Sequence, residues 1–170
     1  MHSHVQFKVK HLVISTVTGE FKDSTATLEG GRGEGAAQFE NAKITFEAKV
    51  ASIHTGVEPR DAHLRSADFF DAEKHPVIRF ESTKFTHVGG MDYQLQGTLS
   101  IRGTTLPITL EATLGGVATD GYGQTKVGFE LTGKLSRAAY GLTWNSVTEA
   151  GAVVVADEIK LIADVQLIKQ

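Results

Sequence analysis

The chain contains no cysteine, only three prolines and no long apolar run. Without cysteine there are no disulfides, no thiol nucleophile and no thiolate-ligated zinc, and either an oxidising or a reducing compartment is compatible. No window approaches the roughly 18 consecutive apolar residues of a spanning helix. Basic excess is missing too: net charge is −3 and the lysines are scattered along the sequence. No overall positive field therefore draws in nucleic acid or an anionic membrane. The start, MHSHVQFKVK, already reads as a strand and lacks a charged-then-apolar leader. As written this predicts a cytoplasmic protein, or a periplasmic one if a leader has been removed.

What the chain does have is glycine, threonine and valine, with 18 glycines in 170 residues. One compact domain over 1–170 is expected, burying roughly two-thirds of its unfolded surface. Apolar and polar residues alternate in eight runs, which centre on Phe7, Gly19, Phe46, Phe80, Gly97, Leu110, Leu131 and Ala163. Each run has one oily and one wet face, the signature of antiparallel rather than parallel sheet. Val88–Met91, Arg102–Thr104 and Gly115–Gly116 read as tight turns between them. The predicted fold is all-β, an eight-stranded antiparallel lipocalin-like barrel, since closure removes exposed edges.

The glycine-rich stretch Glu29–Gln38 matches G-x-G-x-x-A at Gly31, Gly33 and Ala36. A strand rather than a helix follows, so it is a strand connection and not a phosphate loop. The inward register carries small residues: Gly19, Ala48, Ser82, Gly97, Ala112, Gly133 and Ala163. Lined up around the axis, they predict an apolar channel, with Ser82, Tyr93 and His11 as its polar exceptions. Such a wall selects a long hydrocarbon, because each buried methylene contributes about 0.8 kcal/mol while an unpaired polar group is penalised.

The stretch RDAHLRSADFFDAEKHPVIRF, Arg60 to Phe80, is the densest in charge and aromatics. Pro59 suits a first helical turn, Asp61 and Arg65 are spaced as an i, i+4 pair, and Asp68 with Asp71 resembles a capping box. Short helices over about residues 59–75 are predicted near one barrel end, with Leu64, Phe69 and Phe70 packing over it. His63, Asp68 and His75 show no standard metal spacing, and His2 and His4 are expected to face solvent on an edge strand. No G-x-S-x-G is present, and nothing in the pattern requires catalysis.

HSHVQFKVKHL, the central Arg60–Phe80 run, GTLSIRGTTLPI and RAAYGL together resemble the YceI-like polyisoprenoid-binding family of bacteria, almost end to end. The resemblance implies a lipocalin-like barrel, a pore for an isoprenoid or similar lipophile, and frequent homodimers; with no catalytic motif in the sequence, no enzymatic activity is expected. No cofactor is expected beyond an isoprenoid or quinone-like lipid as ligand, and the partner is a hydrophobic small molecule rather than nucleic acid. The expected ligand-binding residues are Phe7, Phe46, Phe69, Phe70, Phe80, Leu95, Leu110, Phe129 and Leu131. Arg60, His63 and Arg65 are candidate headgroup contacts. Two rival readings remain: a metal-dependent stress-response enzyme using His63, Asp68 and His75, or an interaction module with a filled barrel.

Overall fold

The computed structural model describes residues 3–146 and 154–169. Its strands are β1 (His4–His11), β2 (Ser15–Phe21), β3 (Ser24–Glu29), β4 (Lys43–Lys49), β5 (Ile53–His54), β6 (Val77–Gly89), β7 (Asp92–Ile101), β8 (Thr104–Thr119), β9 (Thr125–Ser136) and β10 (Val155–Ile168). One helix, α1 (Glu58–Arg65), joins β5 to the long loop before β6. All ten strands form one curled antiparallel sheet, in the order β3-β4-β6-β7-β8-β9-β10-β1-β2-β5.

The eight alternating runs of the sequence are the long staves of this sheet. Two further strands appear. β3 continues β2 after a bend at Lys22–Asp23, so one stretch of chain lies near both ends of the strand order. Its first half pairs with β1 and its second with β4, which carries the sheet round towards closure. The bend is bonded on both sides: Lys22 N donates to Ser52 O at 3.1 Å, and Lys49 N donates to Asp23 O at 2.9 Å. An isolated parallel bridge from Leu28 to Lys169 spans the remaining gap. β3 reads weakly as a strand because its inward side chains are only Ala26 and Leu28.

Several local expectations change. Gly115 and Gly116 do not make a turn. They form a bulge inside β8, and the turn lies beyond at Asp120–Gln124, where Asp120 Oδ1 accepts from the Tyr122 and Gln124 backbones. A glycine bulge bends a strand without ending it. β1 is not an edge strand, since β10 and β2 pair on its two sides. His4 is exposed as expected, whereas His2 lies outside the described residues.

The inward glycines also act differently from the prediction. A Cβ on Gly19 would collide with the Phe7 ring, on Gly97 with Phe80, and on Gly133 with Leu110. The small residues are seats over which neighbouring large side chains lie, so the space above them is filled.

At one end the barrel is plugged by the segment between β3 and β4. Phe39 is fully buried there, its ring centroid 5.6 Å from Phe129. Phe85 stacks on Tyr93 at 4.6 Å, and both meet Phe129 edge-on. The Tyr93 hydroxyl donates to Ala36 O and accepts from Phe39 N at 3.3 Å. Burial pushes the Tyr93 phenol above its ordinary pKa, so it stays the neutral donor this bond needs.

Candidate functional site

Between the plug and the opposite end lies a cavity of about 190 Å³. Its accessible wall is apolar throughout: Thr132 and Arg137 border it without presenting a polar atom. For scale, an apolar protein cavity of roughly 150 Å³ stays dry and admits benzene. All nine residues named from the sequence border this space: Phe7, Phe46, Phe80, Leu95, Leu110, Phe129 and Leu131 from the strands, Phe69 and Phe70 from the loop after α1. Of the seven small inward residues only Ala163 reaches the wall. The hollow thus arises from how far the large side chains extend across the axis, rather than from a line of glycines. Ser82 and Tyr93 are taken up elsewhere, Ser82 Oγ accepting from Ile44 N at 2.8 Å, and His11 sits at the end of β1 away from the wall.

The cavity's other end is covered by α1 and the loop after it. α1 begins with Pro59 in its first turn and ends at Ser66, whose Oγ donates to His63 O at 2.5 Å. The second short helix expected near Asp68–His75 is absent. That stretch is a series of turns, and Asp71 has a left-handed φ of 49° that a helix does not accommodate. Leu64, Phe69 and Phe70 nevertheless point into the cavity as predicted. Phe70 packs edge-on against Phe21 at 5.9 Å, and Arg102 Nη1 donates to Phe69 O at 2.8 Å.

The charges of this stretch pair differently from their sequence spacing. Asp61 does not meet Arg65. It is 1% exposed and accepts from both the backbone and the hydroxyl of Thr55, anchoring α1 to the chain just after β5. Arg65 instead pairs with Glu58 at 2.6 Å. Arg60 donates from Nε and Nη2 to Thr55, at 2.7 and 2.8 Å. Asp68 is no cap: its carboxylate lies 2.8 Å from His63 Nε2. The His63 ring sits edge-on to Phe69 and Trp144, with centroids at 5.1 and 4.7 Å. Arg60, His63 and Arg65 therefore all border the outside of the lid, and none belongs to the cavity wall. His75 lies against Gly103, and no three metal-ligating side chains converge among the described residues.

The residue the sequence reading missed is Arg137, just past β9. It is 6% exposed and lines the cavity. Nε donates to Ala156 O at 2.8 Å, Nη1 to Leu142 O and Trp144 O at 2.7 Å each, and Nη2 to Val155 O at 3.2 Å. These bonds pin the 142–144 segment to the start of β10. A guanidinium carries five N–H donors, so one is left over. No carboxylate comes within ion-pair distance of Arg137 among the described residues. Desolvation pulls the guanidinium below its ordinary pKa, and the nearby Asp157 offsets this only in part. A signal existed: Val127, Phe129, Leu131, Gly133 and Leu135 face inward, and Arg137 is the next position on that register.

The family model for the YceI-like domain matches residues 1–167. A UPF0312 protein of Serratia proteamaculans is 33% identical over 165 residues, 97% of this chain and 80% of its own. The crystal structure of the Campylobacter jejuni YceI protein superposes with a TM-score of 0.77 at 34% identity, covering 96% of this chain and 91% of that one. A polyisoprenoid-binding domain from Saccharophagus degradans has a similar fold, with a TM-score of 0.68 at 15% identity, covering 96% and 92%. A barrel with an apolar hollow, a plugged end and a lidded end, matched along nearly its whole length, places this chain in the YceI-like family.

Proposed function

We propose that the protein binds a single-chain lipophile of the isoprenoid or quinone-like class in this cavity and holds or carries it without chemical change. The observation that carries the reading is a hollow of about 190 Å³ whose accessible wall is apolar throughout. The polyisoprenoid-binding neighbour of the same fold supports it. The nine wall residues named above would grip the chain. Burying a five-carbon unit would bring roughly 3–4 kcal/mol gross before losses of chain freedom. Several such units exceed the hollow as it stands, so a longer chain must move the Phe69 and Phe70 side chains aside.

Arg137 lies beside the cavity with its guanidinium turned to backbone carbonyls, so it would meet a ligand headgroup only after a shift of its side chain or of the 142–144 segment. Its remaining donor is suited to a carbonyl or phosphate oxygen, which would offset the desolvation of the cation. Arg60, His63 and Arg65 are engaged with protein partners outside the wall, whereas Arg137 borders the cavity and is the headgroup candidate of this reading. Organic extraction of purified protein followed by mass spectrometry should release a stoichiometric prenyl lipid, and added prenyl quinone should compete for the site. Protein that yields only solvent and takes up no prenyl lipid refutes the reading.

A further inference from the structure

The hairpin tip between β1 and β2 is built against its own backbone. Leu12 and Val13 have φ of 52° and 65°, the left-handed region where glycine, asparagine and aspartate are at ease and a β-branched residue is not. This three-residue connection nevertheless reads Leu12-Val13-Ile14, with Val13 75% and Ile14 86% exposed. Two penalties coincide there, strained backbone and apolar side chains in water, and an Asn-Gly tip would relieve both. At the plugged end the exposed apolar residues Val88 and Met91 are separated by Gly89-Gly90, and no three of them are consecutive.

The tip adjoins the cavity. Leu12 N donates to Val154 O at 2.8 Å, and the next residue, Val155, lines the cavity and pairs with His11. Beside the tip, lysines that are scattered in the sequence come together. Lys8 faces Lys160 across the β1–β10 pairing, and Lys160 faces Lys134 across β10–β9. All three lie on the outward register, as does Lys10 nearer the tip. Like charges directly opposite one another disfavour a sheet. Among the described residues the one carboxylate paired with this row is Glu158, 3.9 Å from Lys134 and exposed. On a chain of net charge −3 this is a local positive strip.

From the strained apolar tip and the adjoining lysine row, we propose that this end docks on an anionic bilayer surface. Leu12, Val13 and Ile14 enter the boundary between headgroups and acyl chains, while Lys8, Lys10, Lys134 and Lys160 face the anionic lipid. That the docked mouth exchanges ligand with the bilayer rests on the lipid-binding reading above; the docking itself does not.

Flotation with vesicles of phosphatidylcholine containing a minority of phosphatidylglycerol, against pure phosphatidylcholine vesicles, tests it. Wild-type protein should float with the anionic vesicles and be released by high salt. The variant Leu12→Asn with Val13→Gly and Ile14→Ser should keep or raise the melting temperature while partitioning at least roughly tenfold less. Lys8→Glu with Lys160→Glu should lower partitioning to anionic vesicles by roughly tenfold or more. Wild-type protein that does not float, or a folded tip variant that floats equally well, overturns the proposal. A tip variant that converts a dimer to a monomer, with neither form floating, also overturns it and assigns the tip to self-association. Flotation does not depend on what fills the cavity, so its failure is distinguishable from a failed lipid extraction.

Discussion

The two ends of the barrel close in different ways. At the plugged end, four aromatic rings from Phe39, Phe85, Tyr93 and Phe129 interlock, and a buried hydroxyl ties the plug backbone to β7. Each aromatic pair adds about 0.5–1.5 kcal/mol beyond its buried area. At the lidded end, Phe69 and Phe70 cover the hollow from a loop of turns, held by the Arg102 bond to Phe69 O and by the Asp61–Thr55 anchor behind them. The first end is part of the core. The second joins the core through the buried Phe69 and its contact with Trp144, while the half-buried Phe70 and the turns around it lie at the margin. Opening by local unfolding follows the weaker set of contacts, so on the lipid-binding proposal the lid is the expected entry route.

Breaking the plug should have the largest effect. Phe39→Ala should destabilise the fold by about 3–5 kcal/mol, read by chemical denaturation, because a fully buried ring leaves a cavity that the barrel cannot collapse around. Arg137→Met comes next, at about 3 kcal/mol, since carbonyls of residues 142, 144, 155 and 156 lose their donor. It should also weaken prenyl-quinone affinity when binding is compared at equal folded fraction. If affinity is unchanged, Arg137 serves the loop alone.

Gly97→Ala should cost about 1–3 kcal/mol. A Cβ there would run into the Glu81 carbonyl oxygen and come within 2.6 Å of the Phe80 ring tip. A melting temperature equal to wild type would show that both the β6 backbone and the ring give way. Phe70→Ala should change stability less than any of these, because this side chain is only half-buried, yet it should speed ligand release several-fold in stopped-flow displacement. Equal release rates would place the gate elsewhere.

The smallest effect concerns pH. The Ser136 hydroxyl and the Ala138 N–H hold Asp157 below the usual carboxylate range, helped by Arg137. A depressed folded pKa stabilises above the unfolded pKa, and that stabilisation is lost as pH falls through the folded value. Asp157→Asn should therefore narrow the gap between stability at neutral and at acid pH. An unaltered acid limb of the melting-temperature profile would remove Asp157 from the account.

Much of the wall was legible in the sequence because alternation with a period of two reports directly which side chains share a face. Phe7, Phe80, Leu95 and Phe129 each sit in an uninterrupted alternating run, and Phe69 and Phe70 were left over once the charges around them were assigned. The charges themselves were misassigned. Spacing suggested Asp61 with Arg65, but the bend after β4 brings Thr55 to Asp61 first, and Glu58 then takes Arg65. The role given to the glycines failed for a related reason. A missing side chain shows that something comes close, without saying whether that is empty space or a neighbour's ring.

The sequence alone determined the strand number of the long staves, which faces are oily and the presence of an aromatic cover, since these follow from local periodicity and turn chemistry. Tertiary structure decided where the hollow lies, that Arg137 enters its wall, and that Lys8, Lys160 and Lys134 stand side by side. These depend on register between strands far apart in the chain. Pairing of β1 with β10 joins residues more than a hundred positions apart, and no local pattern encodes that distance.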